Sequence, residues 1–145
     1  MKTQASSVEI TTFTMQDIEG VVALWKTAFP ASDGIKEPRS IALQKFNFQP
    51  ELFFIAKKDG IVIGVVLAGY DGYRGYIYRL AVSPEYRRKS IATQLIERAL
   101  SELKALGCPR VKLQLERYDS MLVELYQRHG FAVEPFIGMG KTFES

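Results

Sequence analysis

Arg87-Arg88-Lys89 is the only run of three basic residues in the chain, and Ser90, Ile91 and Ala92 follow it directly. Cations leading into small residues at a helix start are the parts of a polyphosphate cradle. The N–H groups of a first helical turn lack intrahelical partners and have the positive end of the helix dipole behind them. A pyrophosphate accepts several of those hydrogen bonds at once. The three cations add charge, and Ser90 adds a hydroxyl donor. With Ser90 in the first helical turn, it and Ala92 are small enough for phosphate oxygens to approach the backbone. The same residues also describe a capped, solvated helix terminus, and residue types alone weigh the two readings about equally. Cys108 and His129 are each single in the sequence, with no cluster of acidic or thiol ligands around them. Neither a metal site nor a disulfide framework is expected.

The elements around this segment follow from periodicity. Residues 8–13 alternate apolar and polar as a short strand. Thr14 and Asp17 offer capping groups to a helix with Ile18, Val21, Val22 and Trp25 on one face. Pro38 suits the first turn of a second helix, with Ile41, Ala42, Lys45 and Phe46 at helical spacing. Strands are expected at 52–57, 61–70 and 73–82, joined by Asp-Gly turns into an antiparallel meander. Ile91, Leu95, Ile96, Ala99, Leu103 and Leu106 then mark a helix over 90–106, with Gly107 just beyond its end. Residues 111–115 form a strand. Leu122, Leu125, Tyr126 and His129 share a face of a last helix closed by Gly130, where Asp119 suits the N-cap. Residues 131–133 and 136–143 would make a final hairpin bent at Glu134-Pro135. The order predicts an α+β fold with a mixed central sheet of about six to seven strands flanked by about four helices. The strands at 73–82 and 111–115, joined through a helix, should be parallel. Ligands of such units favour the C-terminal strand ends and the N-terminus of the intervening helix, which here is residues 82–92.

A chain of 145 residues suits one domain, in which roughly two-thirds of the unfolded surface can be buried. Residues 1–7 are polar and aperiodic and read as a loose tail, which leaves 8–145 as the domain. The apolar run at 61–70 is about half of the ~20 residues a membrane helix needs, and the N-terminus lacks the apolar core of a signal peptide. A cytoplasmic protein is expected. Net charge is +3, compatible with a small anionic ligand and too weak by itself to indicate nucleic acid.

Two segments also resemble a family. LAVSPEYRRKSIA (residues 80–92) resembles the acyl-CoA signature of the GNAT-superfamily acetyltransferases: an Arg or Gln, two residues, Gly, one residue, then Gly or Ala. Arg87 takes the first position, Ser90 that of the first Gly, and Ala92 the last. LYQRHGF (residues 125–131) is similar to the family's C-terminal Leu-Tyr-x-x-x-Gly-Phe motif. The likeness spans roughly residues 8–142. GYDGYRG (residues 69–75) with Gly107-Cys108-Pro109 looks most like the small bacterial YpeA-type acetyltransferases. Two positions depart from the pattern: Ser90 replaces a Gly, and Asp119 stands where many members carry an Asn seven residues before the Tyr. An ionised Asp donates no hydrogen bond, so a contact donated to pantetheine would be lost.

The resemblance implies an N-acetyltransferase that moves an acetyl group from acetyl-CoA to a primary amine by direct attack on the thioester. It implies coenzyme binding by Leu80, Ala81, Val82, Arg87, Arg88, Lys89, Ser90, Ile91, Ala92, Asp119 and Tyr126. Tyr126 becomes the general-acid candidate toward the coenzyme sulfur, although its position on an apolar helix face alone suggests a core residue. Glu116, at the end of the 111–115 strand, is the general-base candidate, with Tyr78 and Glu85 as alternatives. Tyr70, Asp71, Tyr73 and Arg74 in the meander turn, with residues 29–39, are acceptor-recognition candidates. Their plainer reading is a solvated hairpin. The acceptor is an amine-bearing molecule, and the protein is a monomer or a homodimer pairing through its C-terminal hairpin. One rival is a non-catalytic acyl-CoA sensor. A weaker one is a small basic nucleic-acid-binding domain, since most aromatics occupy apolar strand or helix faces.

Overall fold

Apolar runs punctuated by Asp-Gly turns give the sheet its shape in the computed structural model, which describes residues 7–30, 34–88 and 90–144. The strands are β1 (Glu9–Thr12), β2 (Phe53–Lys58), β3 (Ile61–Tyr70), β4 (Gly75–Val82) and β5 (Val111–Lys112). They lie in the order β1-β2-β3-β4-β5. All neighbours are antiparallel except β4 and β5, which are parallel. The helices are α1 (Ile18–Ala28), α2 (Pro38–Phe46), α3 (Ile91–Ala105) and α4 (Ser120–Gln127). The α+β class and the parallel β4–β5 pair are as expected.

The strand count is not: among the described residues five strands form where six to seven were expected. No strand occurs among residues 131–144. That segment has Pro135, which lacks an N–H, and Gly138 and Gly140, which are poor strand formers. The expected C-terminal hairpin, and dimer pairing through it, therefore have no strand behind them. Strand β5 also stops at Lys112 instead of Leu115. The expected tail at 1–7 lies outside the described residues except for Ser7, which is exposed.

The chain divides into two compact units, Met1–Gln114 and Leu115–Ser145. In the first, the Phe13 ring stacks on Phe53 at 4.1 Å and Trp25 on Phe53 at 6.1 Å. Val21 and Val22 of α1 join that core. The Thr14 N–H and hydroxyl both donate to Asp17 Oδ2, at 2.9 and 3.1 Å. Asp17 is buried and pairs with Lys57 at 2.8 Å. Burial by itself would raise this carboxyl, but Lys57 and Thr14 outweigh it and hold Asp17 below the usual carboxylate range. Glu37 caps α2 by accepting from Arg39 and Ser40 N–H, with Pro38 in the first turn as predicted.

On α3 the stripe Ile91, Leu95, Ile96, Ala99 and Leu103 is buried, whereas Leu106, expected with them, is 52% exposed. The helix has ended by then. Gly107 adopts φ +86°, and Cys108 N–H returns to Leu103 O at 3.1 Å while Gly107 N–H returns to Lys104 O at 3.0 Å. That is a Schellman ending, which needs a left-handed residue and so favours glycine.

In the second unit, Asp119 Oδ1 accepts from Met121 and Leu122 N–H at 3.0 and 3.2 Å and caps α4. The helix closes on Gly130 in the same manner: Phe131 N–H donates to Tyr126 O at 3.1 Å and Gly130 N–H to Gln127 O at 3.0 Å. Tyr126 and Phe131 meet edge-to-face at 5.6 Å. The motif LYQRHGF thus has a local structural reason, a helix end stapled by an aromatic pair.

Candidate functional site

Strand β4 does not run straight to its end. Val65 faces Ala81 and Leu67 faces Tyr78, so Val66 alone opposes Arg79 and Leu80, a β-bulge. Arg79 takes φ +53°, a conformation that costs a non-glycine residue about 1–2 kcal/mol. Two distant contacts hold it there. Trp25 Nε1–H donates to Arg79 O at 2.9 Å, and the Arg79 guanidinium lies 4.6 Å from the centre of the Phe29 ring. A bulge leaves its extra residue out of the ladder and re-aims the strand. Here it does so at Arg79 and Leu80, immediately before Ala81 and Val82.

Beyond Val82 the backbone turns sharply. Ser83 N–H donates to Ile63 O at 2.8 Å and Tyr86 N–H to Ser83 O at 2.9 Å, forming the short 3-10 turn Pro84–Tyr86. Lys58 sits 5.5 Å over the Tyr86 ring. Arg87 and Arg88 are exposed, and Arg88 takes φ +69°. Helix α3 begins at Ile91, and its first N–H groups are the ones a helix cannot satisfy internally. The start of α3 is seated on β3 through Gly64. A Cβ there would come within 2.9 Å of Leu95 Cδ1 and 3.1 Å of Ile91 Cγ2. Gly64 itself pairs with Val82. The end of β4 and the N-terminus of α3 are therefore neighbours, held by a contact only glycine allows.

Ser90 corrects one expectation. It is not in the first helical turn but is the N-cap residue, in the left-handed region at φ +62°, ψ +13°. Its side chain makes no cap hydrogen bond; its hydroxyl accepts from Gln94 Nε2 at 3.2 Å. The first-turn N–H groups therefore are not capped by the Ser90 hydroxyl. Ser90→Gly is expected to stabilise the fold by about 0.5–1 kcal/mol, since relief of the left-handed strain exceeds the added chain entropy of glycine. Urea denaturation measures this, and a clear loss of stability would show that the Gln94 contact outweighs the strain.

The other candidates are distributed as follows. Lys89 lies outside the described residues. Glu116 is exposed in a bend beyond β5 instead of ending a strand, because β5 is short. Glu85 is exposed on the 3-10 turn. Tyr126 is 6% exposed, and burial pushes its phenol up to about 12. Tyr78 is half-exposed, and burial followed by Tyr76 and Asp71 raises its phenol. Asp71 is occupied by its own turn, accepting from Tyr73 and Arg74 N–H at 2.8 and 2.7 Å. Those backbone contacts, Arg74 first, hold its carboxyl below the usual range. Sequence reasoning missed the Arg79 bulge and Lys112, which the register sets opposite Tyr76. Among the described residues no group of three or more His, Cys, Asp or Glu is placed to hold a metal, and no helix is long and apolar enough to cross a membrane.

The chain is similar to known proteins over most of its length. The model of the acetyltransferase (GNAT) family matches residues 18–131. An acetyltransferase of Yersinia pestis (strain Pestoides F) is 34% identical over 137 residues, covering 92% of this chain and 94% of the relative. Among solved structures, Ard1 from Thermoplasma volcanium has a TM-score of 0.79 at 22% identity, covering 88% of this chain and 84% of the other. The aminoglycoside N-acetyltransferase AAC(6')-Iy in complex with CoA has a TM-score of 0.78 at 18% identity, covering 98% and 99%. At such identities these two structures speak for the fold.

Proposed function

The chain belongs to the acetyltransferase (GNAT) family, and on that premise we propose that it transfers acetyl from acetyl-CoA to a primary amine by direct attack on the thioester. The observation that carries this reading is the junction of the bulged β4 with the N-terminus of α3, flanked by Arg87 and Arg88. The coenzyme pyrophosphate would take the N–H groups of Ile91 and Ala92 together with Arg87, Arg88 and Lys89. Ser90 at the N-cap leaves that approach open. Backbone groups of Leu80 in the bulge, and of Ala81 and Val82 beyond it, are assigned to the pantetheine and the thioester carbonyl. The family match crosses both units, which supports reading residues 8–145 as one acyltransferase domain.

In the reaction the neutral amine nitrogen attacks the thioester carbonyl carbon, and the carbonyl oxygen becomes an oxyanion that needs donors. The C–S bond breaks as the C–N bond settles into an amide. The sulfur leaves with the bonding pair, and the proton lost by nitrogen passes to a base. Glu116 is assigned as that base from its position after β5. Tyr126 is assigned to the leaving sulfur from the motif likeness. With a phenol at about 12 and a thiol near 8.5, full proton transfer to sulfur is uphill. Its contribution is a hydrogen bond donated as negative charge develops. Asp119 spends one carboxylate oxygen on the cap of α4, so its contact with pantetheine would be an accepted hydrogen bond.

Thermal denaturation with acetyl-CoA, coenzyme A and ATP tests the clamp. A ligand at ~100 times its Kd stabilises the native state by about 2.7 kcal/mol. Both CoA species are expected to raise Tm well above the effect of ATP, and Arg87→Ala with Arg88→Ala to remove most of the shift. No shift with either CoA species would sink the clamp. A shift without amine-dependent thiol release would favour a non-catalytic acyl-CoA sensor.

A further inference from the structure

Gly64, Gly69 and Gly75 are the glycines of the described strands, and two of them have packing reasons. A Cβ on Gly64 would press on Leu95 and Ile91, and one on Gly75 would come within 2.6 Å of Cys108 Sγ. Gly69 has neither that reason nor a conformational one. It lies in β3 without a positive φ. Among the described residues, a Cβ there would meet only Gln49 Oε1 at 3.6 Å and Tyr78 Cε2 at 3.7 Å, ordinary van der Waals contact on both sides. Glycine inside a strand weakens it, and it often marks a place where a ligand or another backbone comes close. No backbone atom of the described residues is that close to Gly69.

Both walls of this gap are held in place. Strand β2 begins at Phe53, which pairs with Leu67, and beyond that pair the Gln49 amide takes the strand's place beside β3. Its Nε2 donates to Tyr70 O at 2.7 Å, and Tyr70 N–H donates to its Oε1 at 3.1 Å. Gln49 does this from the left-handed region, at φ +53°, and strain of that kind gathers at ligand clamps. On the other wall the Tyr78 ring is backed by Tyr76, with centroids 5.8 Å apart and planes 19° from parallel. Leu67 pairs with Tyr78 and Gly69 with Tyr76, so both rings stand on the face of the sheet that Gly69 leaves open.

A gap whose walls each stand one van der Waals contact from a single carbon position admits one layer of carbon. A flat aromatic ring is such a layer and gains a further contact with the edge of Tyr78; a puckered or branched group is thicker. We propose that Gly69 sets acceptor specificity: with Gln49 and Tyr78 it forms a slot for a flat aromatic ring, so that the substrate class is primary amines carried on a short chain from such a ring. The proposal rests on the acetyl-transfer reading for where the amine must arrive. Tyr78 is the last residue before the bulge at Arg79 and Leu80. From Tyr76, opposite Gly69, to the bulge is roughly 10 Å of strand. A ring on a four-carbon chain that ends in the amine has about that reach.

The test pairs 4-phenylbutylamine with 4-cyclohexylbutylamine, which share a carbon skeleton and an amine and differ in the thickness of the ring. Calorimetric titration into the CoA-bound protein is expected to give at least about tenfold tighter binding of the phenyl compound, the usual effect of a small misfit in a pocket. In Gly69→Ala the added carbon fills the slot, and that ratio is expected to fall to about two or less through weaker binding of the phenyl compound. The same variant should keep its urea midpoint at or above the parent's, since alanine fits the space and costs the chain less entropy. Acetyl-CoA should still raise its Tm. Equal binding of the two amines to the parent, or a preference that survives Gly69→Ala, overturns the proposal. A lower urea midpoint in Gly69→Ala would give the glycine a structural reason and overturn it as well. Thiol release is read separately. A flat-ring preference in binding with no acetylation of any amine would remove the acetyl-transfer reading and leave the slot standing.

Discussion

Tyr126→Phe is expected to lower kcat about 100-fold while the KM for acetyl-CoA moves by no more than roughly twofold, the pattern of a donor used as charge develops on the leaving atom. The substitution separates chemistry from folding. The ring of Tyr126 packs edge-to-face on Phe131 at 5.6 Å, and a phenylalanine keeps that contact and the helix ending beneath it. Among the described residues no buried side-chain oxygen or nitrogen lacks a partner, so the hydroxyl is not a sealed polar atom whose removal would itself shift stability. The pH profile gives a second readout. A phenol at about 12 keeps its proton throughout the ordinary assay range, so Tyr126 imposes no falling alkaline limb below about pH 11. The rate should climb with pH as the acceptor amine loses its proton. Unchanged kcat in Tyr126→Phe at equal fold stability would remove this residue from the reaction and leave LYQRHGF as a helix-ending motif only.

That ambiguity explains much of what the sequence could convey about the site. Tyr126, Gly130 and Phe131 are legible because their spacing is local, and a local reason, the Schellman ending, accounts for them without any chemistry. The same locality made strand β3 and the buried stripe of α3 legible: one is a long apolar run between turn signals, the other a helical repeat closed by Gly107. Where the structure departs from expectation, the cause is non-local or a local element too weak to form. A C-terminal hairpin is expected over residues 131–143, but Pro135, Gly138 and Gly140 deprive it of a donor and of strand propensity. Ser90 looked like a first-turn residue because composition does not report φ. The bulge at Arg79 has no glycine or proline to announce it. Its strain is offset by Trp25 and Phe29, more than fifty residues away by the hydrogen bond that joins Trp25 to it. Lys112 comes to stand opposite Tyr76 only through the β4–β5 register, which no local pattern carries.

Trp25→Ala should therefore cost about 3–5 kcal/mol, a large share of the roughly 5–15 kcal/mol that holds a domain together, and Trp25→Phe about 1–3 kcal/mol. Trp25 is fully buried and stacks on Phe53 at 6.1 Å, so alanine opens a cavity in the centre of the first unit. Phenylalanine keeps much of the ring area but removes the Nε1–H that reaches Arg79 O at 2.9 Å. The two substitutions thus divide packing from control of the bulge. Urea titration of both measures the stability costs. The acetyl-CoA-induced rise in Tm, compared at matched ligand, then measures what the bulge does for the coenzyme. Trp25→Phe is expected to fold and yet show a smaller rise than the parent, because the strand leading to Leu80, Ala81 and Val82 is no longer pinned in its bulged course. Arg87→Ala, by contrast, should lessen the rise with little loss of stability, since its side chain is exposed. A Trp25→Phe protein matching the parent in both measurements would mean that the Phe29 contact alone suffices to hold Arg79. The indole hydrogen bond would then be a consequence of the bulge and no part of its cause.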